Sequence, residues 1–351
     1  MNIRFSALLL VFFWTLATHA ATPARDFTFF LFSDIHIGAE NLKANPPVTR
    51  EQTLAKLKTN LEAMRGLVGQ PCPQADIGTV ALPRGLFILG DLTDGHKEPA
   101  RQQEQWRTFE ALFPLTGFSF GARAAPVYAL AGNHDGPLAE TQRQGLLARN
   151  RVLAQGGKFS AISSNGVHYA LNWDGVHFLF LNLCAADKPD AETPFKFGKP
   201  GPGGWNDPLE AFTFLKDYLT RQVGRSGEPV VILQHYGFDN FSLNDWNWWT
   251  LKQRRALYEL IKDYNVVAFM HGHDHHTAHY RWPDPKQHAA DLNYFFGGKP
   301  PANPRQYDVL SCGQICWVVR IHDNQFSAAH RGSRDWDRDS LVKSLAPRAT
   351  P

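Results

Sequence analysis

Five short clusters of Asp, His and Asn punctuate this chain, and each directly follows an apolar run. They are Asp34-Ile35-His36, Gly90-Asp91-Leu92-Thr93-Asp94, Gly132-Asn133-His134-Asp135, His235 after Val230-Val231-Ile232-Leu233-Gln234, and Gly272-His273-Asp274-His275. A short apolar run bounded by polar breaks is the pattern of a strand buried on both faces. In open α/β sheets, ligands gather beyond the carboxyl ends of the strands. Polar residues scattered at random would fall at both ends of such runs. Here they sit at one end every time, so the fold must bring five strand ends to a common rim.

The spacing of apolar residues predicts strands at Phe27–Phe32, Gly85–Leu89, Pro126–Ala131, Pro229–Leu233 and Val266–Met270, each leading into one of the clusters. Helices are predicted over 50–68, where Leu54, Leu57, Leu61, Met64 and Leu67 share one face, and over 100–113, 208–223 and 250–264. Asp174-Gly175 between His168–Trp173 and Val176–Leu183 reads as a hairpin turn. Further strands are expected at Tyr307–Ser311, Ile315–Ile321 and Gln325–Ala329, the last two joined by an Asp323-Asn324 turn. Alternating helices and strands followed by antiparallel pieces point to an α/β sandwich of two mixed β-sheets with helices outside. Residues 21–330 read as one domain. Residues 186–207, rich in Pro and Gly, read as a loop, and 331–351 as a polar, poorly ordered C-terminal tail.

The first twenty residues stand apart. Arg4, an apolar run from Ala7 to Leu16 and a small residue at Ala20 form the pattern of a signal peptide cleaved after Ala20. An uncleaved anchor is the plainer alternative, but the run is short for a membrane span. The expectation is a secreted or periplasmic protein whose mature chain has no transmembrane segment. Its four cysteines, Cys72, Cys184, Cys312 and Cys316, permit three full disulfide pairings. They serve equally well as buried thiols. No C-x-x-C pair suggests a structural zinc site. A formal net charge of +3 argues against a surface for long nucleic acid.

Carboxylate oxygen, imidazole nitrogen and amide oxygen together suit two divalent ions of iron, manganese or zinc. Two such ions about 3.5–4 Å apart lower the pKa of a bridging water, hold a phosphate ester and neutralise its oxygens for in-line attack. The ordered series D-x-H, G-D, G-N-H-D, H and G-H-x-H resembles that of the calcineurin-like metallophosphoesterase superfamily, from Asp34 to His275. The resemblance implies a four-layer αββα sandwich and a dinuclear site that hydrolyses phosphomonoesters or phosphodiesters. It implies Asp34, His36 and His275 on one ion, Asn133, His235 and His273 on the other, and Asp91 bridging. It further implies that His134 faces the leaving-group oxygen or a phosphate oxygen and that Asp135 orients it. Purple acid phosphatases, a branch of that superfamily, carry Tyr three residues after the bridging Asp and Gly at the place of His36. This chain has Asp94 and His36 there, so an iron–tyrosinate site is not expected. Where some members carry two adjacent His, this chain has His235-Tyr236.

Asp94 reads as a turn or supporting residue, and His271, His276 and His279 as supports or surface groups. Asp274 either partners a ligating histidine or faces solvent. Trp246, Trp248 and Trp249 follow His235 in a loop beside the site. They either stack on a ring, cap a cationic head group or only pack the loop. The expected substrate is a small phosphate ester. A metal-binding protein without turnover and a nucleotide-directed nuclease are the rival readings.

Overall fold

The computed structural model describes residues 24–135, 140–188, 208–245, 248–332 and 335–347. The proposed signal peptide, most of the 186–207 loop, Trp246 and the last four residues lie outside the described residues.

Thirteen strands build the two large sheets: β1 (Asp26–Phe32), β2 (Gly85–Leu89), β3 (Val127–Leu130), β4 (Ala161–Ile162), β5 (Tyr169–Trp173), β6 (Val176–Phe180), β7 (Val230–Leu233), β8 (Val266–His271), β9 (Ala278–Trp282), β10 (Tyr307–Ser311), β11 (Trp317–His322), β12 (Gln325–Arg331) and β13 (Trp336–Ser344). One sheet runs β13-β12-β11-β1-β2-β3 and the other β9-β10-β8-β7-β6-β5-β4. In the first, β1, β2 and β3 are parallel neighbours, whereas β11 pairs antiparallel with β1. In the second, β6, β7, β8 and β10 run parallel.

Why the apolar runs are continuous is visible at β1. Successive strand side chains point to opposite faces. Phe29 and Leu31 enter the core between the sheets with Phe87, Phe178, Phe180, Met270 and Trp317. Phe30 and Phe32 point the other way, against Leu57, Leu61, Trp106, Phe109 and Phe113. These belong largely to helices α1 (Arg50–Arg65) and α2 (Pro99–Leu112). The second sheet repeats the scheme. Its outer residues Ile232 and Phe269 pack with Leu215 and Leu257 from α4 (Ala211–Tyr218) and α5 (Leu251–Ile261), while α3 (Glu140–Gln155) adds to the first helical layer. The result is the four-layer αββα sandwich.

Local chemistry sets several boundaries. Thr49 and Gln52 form a reciprocal N-terminal box on α1, and Thr250 with Gln253 does the same on α5. Asp174 and Gly175 adopt φ of 54° and 76°, the conformation of a tight two-residue hairpin turn between β5 and β6.

Two expectations need correction. The helix expected over 208–223 spans Ala211–Tyr218 and continues as a wider turn over Leu219–Val223. Much of the C-terminal stretch expected to be a tail is β13, which extends the first sheet beyond β12. Its hydrophobic signal is faint because it is an edge strand, exposed or half-buried except at Leu341, which enters the core between the sheets, while Trp336 packs on the outer cluster. Charged side chains on such an edge discourage pairing with other chains. The four cysteines are all free thiols. Burial pushes the Cys184 thiol far up and that of Cys316 up to about 12, so neither is a ready thiolate.

Lys343 of β13 crosses to the second sheet, where its Nζ donates to the Asp308 carboxylate at 2.6 Å and to the Val267 carbonyl. Although burial opposes ionisation, His279 and Lys343 hold the Asp308 carboxyl well below the usual carboxylate range. A depressed carboxyl contributes stability above its unfolded value of about 3.9 and loses it as pH falls toward the folded value. Replacing Lys343 by Met should cost about 2 kcal/mol at pH 7 in urea unfolding. That loss should shrink as pH falls below about 4. An unchanged urea midpoint at pH 7 would show that this tie contributes nothing.

Candidate metal centre

All five clusters arrive at one rim. Asp34 and His36 follow β1, Asp91 follows β2, and Asn133 to Asp135 form a single turn after β3. From the second sheet, His235 follows β7, while His273 and His275 follow β8. Parallel neighbours end side by side, so the rim is a direct product of strand order. The two sheets are also fastened there. His235 Nδ1 donates to the Leu89 carbonyl of β2 at 2.8 Å, and the His273 amide donates to the Asp34 carboxylate at 3.0–3.1 Å.

The donors fall into two groups around Asp91. On one side, His36 Nε2 lies 3.1 Å from His275 Nε2 and 3.5 Å from Asp91 Oδ2, and His275 Nε2 lies 3.6 Å from Asp34 Oδ1. On the other, His235 Nε2 lies 3.0 Å from Asn133 Oδ1 and 3.4 Å from Asp91 Oδ1. His273 joins this second group. Ligands bound to one cation at 2.0–2.1 Å sit roughly 2.9–3.4 Å apart, depending on geometry. Three of these spacings fall inside that range and two lie just above it.

Tautomers sharpen the point. A carbonyl only accepts, so His235 Nδ1 must carry the proton toward Leu89, and a neutral ring then aims a lone pair from Nε2 at Asn133 Oδ1 and Asp91 Oδ1. Acceptor faces acceptor, which is unfavourable unless a cation lies between them. Asp91 Oδ2 and His273 Nε2 are buried with no hydrogen-bond partner. Such orphans are costly in a dry interior. The donor set therefore fits divalent cations.

The titration behaviour agrees. Burial disfavours the charged forms of His36 and His235, yet nearby carboxylates win and lift both to about 9. Burial pushes Asp34 upward, while Asp91 is held well below its ordinary range because His235 and His134 outweigh burial. Burial, reinforced by neighbouring histidines, drives His273 far down and His275 down to about 4, which leaves neutral imidazoles with free lone pairs. In the absence of other cations, protons balance the carboxylates.

Backbone strain is concentrated here. Asp34, His36, Asp91, His273 and His275 all have positive φ, between 42° and 75°, five of the eleven non-glycine cases among the described residues. Such conformations cost energy and cluster where function over-determines the backbone. Two glycines make the approach possible. A Cβ on Gly132 would stand 2.1 Å from Asp91 Oδ1, and one on Gly272 would stand 1.9 Å from Ser33 Oγ.

His134 sits at the mouth, partly exposed, its ring 4.6 Å from that of His36. Asp135 does not orient it. The Asp135 carboxylate accepts from the amides of Leu92, Thr93 and Gly132 and from Thr93 Oγ1, all at 2.9–3.1 Å. It stitches the second cluster to the third. Asp94 holds His134 instead: its carbonyl lies 3.0 Å from His134 Nδ1 and its Oδ1 3.5 Å away. The same Oδ1 lies 3.4 Å from His36 Nδ1.

The remaining polar groups are supports. Asp274 accepts from Ser311 Oγ and the His276 amide. His271 forms a further group with Asp239 and Asp274, but its nitrogens are engaged by the Gly272 carbonyl and the Tyr280 hydroxyl. His279 bonds Asp308. Sequence reasoning missed Gln314, whose Nε2 holds the Asp34 carbonyl at 3.0 Å. Its place after β10 gave no motif signal.

Comparison with known proteins completes the description. The sequence profile of the calcineurin-like phosphoesterases matches residues 27–277. None of the curated proteins compared matches the chain. Among solved structures, the chain is similar to GAP50, the anchor in the inner membrane complex of Plasmodium, at 11% identity and a TM-score of 0.48, covering 92% of this chain and 90% of that one. It is also similar to the calcineurin-like phosphoesterase YfkN from Bacillus subtilis, at 13% identity and a TM-score of 0.39, with 92% of each chain covered. A predicted phosphoesterase from Streptococcus pneumoniae gives 10% identity and a TM-score of 0.30, covering 91% of this chain and 98% of that one. The profile alone carries the assignment: reaching from β1 to two residues past His275, it spans every cluster at the rim, and the chain belongs to the calcineurin-like phosphoesterase family.

Proposed function

We propose that this chain is an exported, dinuclear-metal-dependent hydrolase of phosphate esters. The observation that carries the reading is Asp91, whose two carboxylate oxygens face His36 on one side and His235 on the other. A carboxylate so divided suits two cations rather than one. Export rests on the first twenty residues alone, and the substrate class on the family and the donor chemistry.

In this reading Asp34, His36, Asp91 and His275 would hold one cation, and Asp91, Asn133, His235 and His273 the other. Iron, manganese and zinc all suit the set. When bound, the pair supplies Lewis acidity toward phosphate oxygens and a lowered pKa for bound water. The chain's own contribution is placement and proton handling. His134, whose Nδ1 donates to the Asp94 carbonyl, would in its imidazolium form donate the Nε2 proton to the departing oxygen. Asp135 fixes the turn that carries both Asn133 and His134.

Four outcomes test this. Purified protein loaded with manganese, zinc or iron should hold about two ions per chain and turn over nitrophenyl phosphate or bis(nitrophenyl) phosphate. Metal bound without turnover of any ester would favour a binding protein. Asp91→Asn should abolish turnover and lower metal content together. His134→Ala should cut the rate by about 10²–10⁴-fold with metal content retained; an emptied site would refute its assignment as proton donor. The two aspartates should separate. Asp94→Asn should slow turnover at unchanged stability, whereas Asp135→Ala should cost about 3 kcal/mol in urea unfolding, because it strands several buried amides.

A further inference from the structure

One wall of the metal centre is aromatic. The ring of His273 is surrounded by Trp248 at 4.5 Å, Tyr236 at 4.7 Å and Phe241 at 5.1 Å between ring centres. Tyr236 and Trp248 are buried, and they clamp the imidazole. Phe241 differs: it is 37% exposed, although its ring touches the same histidine. Hydrogen bonds between described residues hold the backbone around Phe241. Asp239 accepts from Ser242 N at 2.9 Å and Oγ at 2.7 Å, and the Trp248 amide donates to the Ser242 carbonyl at 2.9 Å. Trp249 Nε1 bonds the Gly237 carbonyl, and Phe238 stacks on Trp282 at 3.9 Å. A tethered turn therefore presents an aromatic ring beside a proposed metal ligand.

The opposite side of the mouth is polar, formed by His36, Asp94, His134 and His275. The site thus has one wall for proton transfer and charge and another for an apolar ring. We propose that the substrate is a phosphate ester bearing an aromatic group, with the phosphate at the cations and the ring packed on Phe241. This rests on the phosphoesterase reading above and narrows it. A quaternary ammonium group fits less well, because an aromatic cage needs several exposed faces and, of the described rings around His273, Phe241 is the exposed one.

Calorimetric binding of phenylphosphonate, methylphosphonate and phosphocholine to the manganese-loaded protein tests the proposal without requiring turnover. Phenylphosphonate should bind about tenfold more tightly than methylphosphonate, the scale of one ring stacked on a protein aromatic. In Phe241→Ala the preference should fall to about twofold, and Phe241→Tyr should retain it. Equal affinity for the two phosphonates, a preference that survives Phe241→Ala, or tighter binding of phosphocholine overturns the aromatic subsite and leaves the phosphoesterase reading intact. Failure of all three ligands to bind the loaded protein overturns both.

Discussion

Everything at the rim depends on lone pairs that converge where only a cation or a proton can lie between them. His235 illustrates the constraint. Its Nδ1 is committed to the Leu89 carbonyl in the other sheet, so Nε2 is turned toward two oxygens. No rotation of the ring relieves this without breaking the tie between the sheets. The scaffold has therefore built a demand for positive charge into its own packing. Similar demands at Asp91 and His36 tie the fold to a need for positive charge at the rim.

The cost is distributed through the backbone. A left-handed conformation at Asp34, His36, Asp91, His273 and His275 is sustained because each residue is gripped elsewhere. The Asp34 carbonyl is held by Gln314, and its carboxylate by the His273 amide. The Asp91 carboxylate accepts from the His134 amide at 2.9 Å. Strain of this kind persists where surrounding contacts over-determine a geometry. Here it turns side chains at sharp strand ends inward to a shared point, instead of outward to solvent.

Much of this was legible in the sequence, because it follows from periodicity and position. Runs such as Phe27–Phe32 and Val230–Leu233 announce doubly buried strands, and a polar cluster after each marks one end of the sheet. What the chain order hides is facing. Asp135 adjoins His134, yet its carboxylate turns to the Leu92 and Thr93 amides, while Asp94, forty positions away, reaches the imidazole. α3 escaped notice because its inner face includes Gln142, Arg149 and Asn150, buried polar residues that hide the helical stripe. Arg149 is tolerated there because it donates to the Phe113 carbonyl. Phe241 carried no signal at all: one ring in an aromatic loop does not reveal its exposure until the loop is folded.

The order of strands in the first sheet has a consequence for biogenesis. β1 is flanked on one side by β11, whose residues Trp317–His322 are synthesised long after it. Until ribosomal synthesis passes that point, a ribbon of phenylalanines has one flank without a neighbour. Unpaired apolar edges recruit other chains, and contacts between distant segments form slowly. An incomplete chain that lacks β11 thus carries an adhesive edge on β1.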